Sequence, residues 1–296
     1  MKNVKDMFLD NKIPDLEDSG YFFLNLFSNV SKDISRFGAV YANKQFENPT
    51  SSFLYIVENF PEKKFQNLND KEFFYNYIPD FTYAKQFMKE GKNISWTDEN
   101  NIHTIVTIPS IENLELESYA KLILDSKETV SDSMLSKLIN FLPDSIKDWN
   151  LVSIFAWFDL VREEGIVHLV RHLHGNYEKD GKYINVELAF GCSSSIPEII
   201  DKLSPPEQFV TKKSTIKLDN KDVVLQTIKD FKGETEVDCL AFLNKEEKFS
   251  ILVHNNKTTK DFKSYEDVMK EFMLEMIDML SSYSLNLINL TSFSTT

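Results

Sequence analysis

Residues 165–192 read GIVHLVRHLHGNYEKDGKYINVELAFGC, and this stretch decides the fold. Asp180-Gly181 stands between two alternating runs. A two-residue type I′ turn needs positive φ at both positions, which Asp-Gly tolerates. With the turn there, Lys179 faces Lys182, Tyr177 meets Ile184, Asn176 meets Asn185, His174 meets Glu187, Leu173 meets Leu188, His172 meets Ala189 and Arg171 meets Phe190. Side chains alternate faces along a strand, so Ile184, Val186, Leu188 and Phe190 share one face. The histidines, Asn185 and Glu187 share the other. A slip of one residue would set the histidines against the apolar row, so turn and pattern select the same register.

Two further hairpins are predicted downstream. One joins 214–218 to 223–231 across LDNKD, and the other joins 236–243 to 249–254 across NKEEK. A short helix over 196–203 precedes them, with Ser195 and Glu198 at capping-box spacing and Pro197 in the first turn. The last long element is a helix over 265–283. Tyr265, Val268, Met269, Phe272, Met276, Met279, Leu280 and Tyr283 fall on one face, and Glu266, Asp267, Glu271, Glu275 and Asp278 largely on the other. Such a helix has to cover something, and the sheet made by the hairpins is the expected surface. Its methionines, Met273 included, could instead form an adaptable binding face, but packing on the sheet is the commoner use.

Upstream, residues 149–164 are apolar nearly all round. They are expected to form a buried central helix capped by Asp148, with a strand as the rival. Glu163 and Glu164 oppose the helix dipole at its end. In the N-terminal part, 19–37 is expected to be a helix, 51–60 a strand ended by Pro61, 81–90 a short helix, 101–109 a strand, and 131–142 a helix. Residues 114–126 fit helix or strand. The expected class is therefore α+β: a mixed α/β part over 1–147, then a hairpin-rich part over 148–296 packed by the central and terminal helices, with one continuous core across both as the alternative.

The 296 residues include 24 Phe and 11 Tyr, enough apolar surface for a substantial core. Net charge is −13 and is shared by both halves, with no basic patch. Nucleic-acid binding needs clustered Lys and Arg, so neither nucleic acid nor an anionic membrane is an expected partner. The aromatics Phe73, Phe74, Tyr75 and Tyr77 lack the basic neighbours that a base-stacking platform needs. The two cysteines make no disulfide framework, the N-terminus has no signal-peptide core, and a cytoplasmic setting is expected. Signatures of the P-loop, dinucleotide, α/β-hydrolase, zincin and kinase types are absent.

The chemistry-bearing candidates centre on the hairpin. His172, His174, Glu178 and Glu187 share a face and could hold a divalent transition metal, with His168 or His254 nearby. The alternative is an ordinary His174–Glu187 cross-strand pair with no cofactor. The fragment H-x-H-x₃-E, running His172, His174, Glu178, resembles part of the first metal-binding motif of the cupin family. The resemblance implies those three as ligands. It stops there: Gly165 lies one residue too far upstream, Asn185 stands where a glycine would be, and no second motif follows. Cys192, at a strand end before a helix, is a candidate nucleophile, with a small buried residue as the plainer reading. Ser193, Ser194 and Ser195 could meet an anion at that helix start, though capping accounts for them. The functional expectation is a non-catalytic, acidic, cytoplasmic protein (accessory, immunity-type or assembly component) that binds another protein, a basic surface on that partner being the sharper form of the expectation. A metal-dependent enzyme is the alternative.

Overall fold

The computed structural model describes residues 3–6, 14, 16, 18–30, 35–43, 53–59, 93–98, 101–107, 116–125, 139–163, 166–191, 193–203, 210–229, 236–255 and 265–282. The chain divides into two compact units, Met1–Lys137 and Leu138–Thr296. Both are mainly antiparallel sheet with added helices, in keeping with the α+β class.

The first unit holds β1 (Tyr21–Val30), β2 (Ser35–Asn43), β3 (Phe53–Asn59), β4 (Asn93–Asp98), β5 (Asn101–Thr107) and helix α1 (Leu116–Asp125). Its strands run in the order β1-β2-β3-β5-β4. Where a helix over 19–37 was expected, Tyr21–Val30 is instead strand β1, paired with β2 so that Phe27 lies opposite Gly38. Its apolar residues occupy both sequence parities, so they satisfy helical spacing by count; aromatic and β-branched residues favour the strand once β3 supplies a partner for β2. Strands β3 and β5 fall within the expected spans, and β4 (NISWTD) is an additional strand that its mixed pattern did not announce. Within 114–126, Leu116–Asp125 is helix, and Tyr119 of α1 packs its ring 4.5 Å from Phe53. The expected helix over 81–90 and most of that over 131–142 lie outside the described residues.

The second unit holds β6 (Ser145–Ile146), β7 (Trp149–Glu163), β8 (Ile166–Lys179), β9 (Lys182–Phe190), α2 (Ile196–Leu203), β10 (Val210–Leu218), β11 (Lys221–Lys229), β12 (Glu236–Asn244), β13 (Phe249–His254) and α3 (Glu266–Ser282). The strand order is β10-β11-β12-β13-β9-β8-β7, with β6 beside β7. Where a central helix over 149–164 was expected, Trp149–Glu163 is therefore a strand. β7 pairs with β8 from Asn150↔Glu178 to Glu163↔Ile166, with an irregularity between Leu151 and Ser153. A segment apolar all round suits a strand covered on both faces as well as a buried helix. The neighbouring strand β8 satisfies its backbone groups and settles the choice.

The β8–β9 hairpin has the expected register at every position from Lys179↔Lys182 to Arg171↔Phe190. Asp180 and Gly181 have φ of 51° and 72°, as a type I′ turn demands. The β10–β11 hairpin repeats the device with Asp219 and Asn220 at 43° and 65°, so its loop is two residues and not the five of LDNKD. The helix α2 begins as its capping box foretold, with the Ser195 amide donating to Glu198 Oε2 at 2.8 Å.

The two units share a plan. In each, three strands form a meander, a later hairpin returns so that its last strand lies beside the third, and a helix follows. Two extra strands, β10 and β11, extend the second unit beyond β12. This correspondence is invisible in the sequence, where no repeat stands out, because topology survives with any residues that keep the alternation.

Helix α3 closes one face of the second sheet. Met269, Phe272, Met273, Met276, Ile277 and Leu280 are buried and Met279 is half-buried, so the methionine stripe is core at three of its four positions. Phe272 meets Tyr177 and Trp149 edge-on, with ring centroids 5.1 Å and 5.9 Å apart. Tyr177 donates its hydroxyl to the Pro143 carbonyl at 2.9 Å, and burial raises its phenol well above the ordinary range. At Gly175, a Cβ would stand 2.8 Å from Leu142 Cδ1 and 3.1 Å from Leu151 Cδ1. Gly175→Ala is expected to destabilise the unit by about 1–3 kcal/mol through overpacking. The urea midpoint reads this directly, and a midpoint at or above that of the parent would mean Leu142 swings aside without cost.

Candidate functional site

The opposite face of the second sheet carries the histidines. Part of it is ordinary core: Val170, Ala189, Cys239, Ala241 and Leu252 pack against Ile196 and Ile199 of α2, with Val224 at the margin. Ser250 joins this contact by accepting the Ile196 amide at 3.1 Å and donating to the Phe242 carbonyl. Toward the Asp180-Gly181 end the same face turns polar. Pairing sets Asn176, Asn185, His254, Cys239 and Gln226 in one row across β8, β9, β13, β12 and β11. His174, Glu187 and Leu252 occupy the next row.

The side chains in these two rows cross. His174 faces Glu187 in the backbone register, yet its Nε2 donates to Asn185 Oδ1 at 3.0 Å. His254 faces Asn185, yet its Nε2 donates to Glu187 Oε1 at 3.0 Å. The two imidazole centroids are 6.3 Å apart. The His254 and Glu187 side chains are only 10% and 15% exposed, and Asn185 and His172 are buried. The polar face is thus an interior seam.

Electrostatics follow from that burial. Desolvation would raise the Glu187 carboxyl; the hydrogen bond from His254 and the charges of His254, His174 and His172 outweigh it and hold the group at about 2. Desolvation also holds the His174 imidazole below its ordinary value, with His254 acting in the same sense and Glu187 and Asn185 opposing. Burial is the first cause that pushes the Cys239 thiol well above its ordinary value, and its Sγ lies 3.4 Å from the Gln226 carbonyl. An inert thiol of this kind is no nucleophile.

Of the four metal candidates, His172, His174 and Glu187 come together on the seam, and His254 joins them from β13. Glu178 does not. It lies four residues beyond His174, about 13 Å along the strand, and its Oε1 accepts the Gly181 amide at 2.6 Å, where it braces the turn. Among the described residues, no group of three His, Cys, Asp or Glu side chains is arranged to hold a metal ion. His168 stands opposite Val161 on β8, and its side chain lies outside the described residues, as does Cys192. Of the serines after it, Ser193 is exposed and Ser194 buried.

Sequence reasoning missed the part played by Asn185. As a hydrogen-bond partner for His174 it was legible only in hindsight, from an amide placed two residues from Glu187 on the same face. A second aromatic and imidazole group lies in the first unit. Trp96 stacks on His103 with centroids 5.1 Å apart and planes 4° from parallel, and the Tyr55 hydroxyl is 2.8 Å from His103 Nδ1. Tyr55 and Trp96 are buried, which makes this group packing with a polar tie.

Among the described residues, no helix is long and apolar enough to cross a membrane. No family model matches the chain, and neither does any curated protein or solved structure.

Proposed function

We propose that this is a non-catalytic, acidic interaction protein of the cytoplasm, an accessory, immunity-type or assembly component that recognises another protein by a basic surface on that partner. The observation that supports it is the outer side of α3. Asp267, Glu271, Glu275 and Asp278 are exposed there while the inner side is core. Lys147 and Lys221 pair with Glu271 and Asp278, and Lys270 with Glu266. Such exposed pairs are worth a fraction of a kcal/mol each, so a partner's basic groups can displace them at small cost. Electrostatic complementarity of this kind speeds encounter and fades with salt. Neither nucleic acid nor membrane is part of this reading, because the chain presents −13 net charge to either.

The test is affinity capture from the native source at low salt, repeated in 0.5 M salt and with Asp267→Lys/Glu275→Lys. Both positions are exposed, so the double variant is expected to stay folded by circular dichroism. A specific, salt-sensitive partner that the double variant no longer captures is the expected result. Capture of nothing specific, or of a partner indifferent to both changes, sinks the proposal.

A second reading, a metal-dependent enzyme, is favoured by one arrangement: His174, His254 and Glu187 on three adjacent strands, with His172 two residues away. To bind a divalent transition metal, each imidazole would offer Nδ1, because Nε2 is engaged with Asn185 in His174 and with Glu187 in His254. On the first reading, purified protein carries no stoichiometric transition metal by elemental analysis and melts unchanged after chelation. Stoichiometric zinc, nickel, iron or copper that disappears in His172→Ala/His174→Ala would put the second reading ahead.

A further inference from the structure

We draw no further inference here: the strongest candidate, the polar row of Asn176, Asn185, His254 and Gln226 across the second sheet, holds buried side-chain atoms without hydrogen-bond partners, and nothing in the structure shows a ligand of any particular chemistry that they would face.

Discussion

Glu187→Ala is expected to lower the free energy of unfolding by about 3–5 kcal/mol, the usual cost of removing one member of a buried ion pair. His254 Nε2 would lose its acceptor at a site where both side chains are at least 85% shielded. The parent protein has its own acid dependence, and its sign is fixed. Glu187 is held at about 2 against an ordinary 4.5, so its contribution is complete above 4.5 and is lost as pH falls through about 2. His174 is held below its ordinary 6.5, so the folded state resists its proton. That contribution is complete above 6.5 and declines as pH falls below it. Both act in one direction, and the melting temperature should fall steadily from pH 7 toward pH 3. Glu187→Gln should lose the Glu187 share of this dependence while keeping an acceptor, and so sit between parent and alanine variant at pH 7. Urea midpoints at pH 7 and pH 5.5 decide it; an alanine variant within about 1 kcal/mol of the parent at pH 5.5 would show that the pair is idle.

Phe272→Ala should cost about 3–5 kcal/mol as well, for a different reason. Its ring is 1% exposed and is held edge-on between Tyr177 and Trp149. Removing it deletes the burial of a large apolar surface and leaves a cavity beneath α3 that Met276 and Met273 can fill only in part. Total stability of such a unit is about 5–15 kcal/mol, so the alanine variant stands near the edge of folding. Phe272→Leu, which conserves more volume, is therefore the companion variant, with an expected loss of about 1.5 kcal/mol. Near-ultraviolet circular dichroism should report the changed surroundings of Trp149. A Phe272→Ala midpoint within error of the parent would mean that α3 does not close the sheet as described.

Much of the second unit was legible in the sequence because its signals are local. Asp180-Gly181 and the alternation around it need no distant partner to be read. The same holds for Ser195 and Glu198 at the start of α2, and for the apolar stripe of Met269, Phe272, Met276 and Leu280. The stretches that misled, 19–37 and 149–164, share one property: their apolar residues fall at both even and odd positions, so helix and strand both accommodate them. The candidate site was legible only in part. His172, His174 and Glu187 were placed on one face correctly, but Glu178, four residues along, belongs to the turn. The face itself is buried at His172, Asn185 and His254, and no residue of 165–192 announces that.

The sequence by itself determined the backbone pairing of this hairpin, residue for residue. A positive-φ turn fixes the first pair, and a period of two carries that choice along both strands. Only the tertiary structure decided whom each polar side chain meets. Glu187 turns from its backbone neighbour His174 to His254, 67 residues away, because β13 lays that imidazole beside it. In a low-dielectric seam, an ionised carboxylate takes the partner that compensates it best, and His174 settles on Asn185. Strand identity for β7 was decided in the same way, by the neighbour that satisfies its backbone and not by the residues it contains.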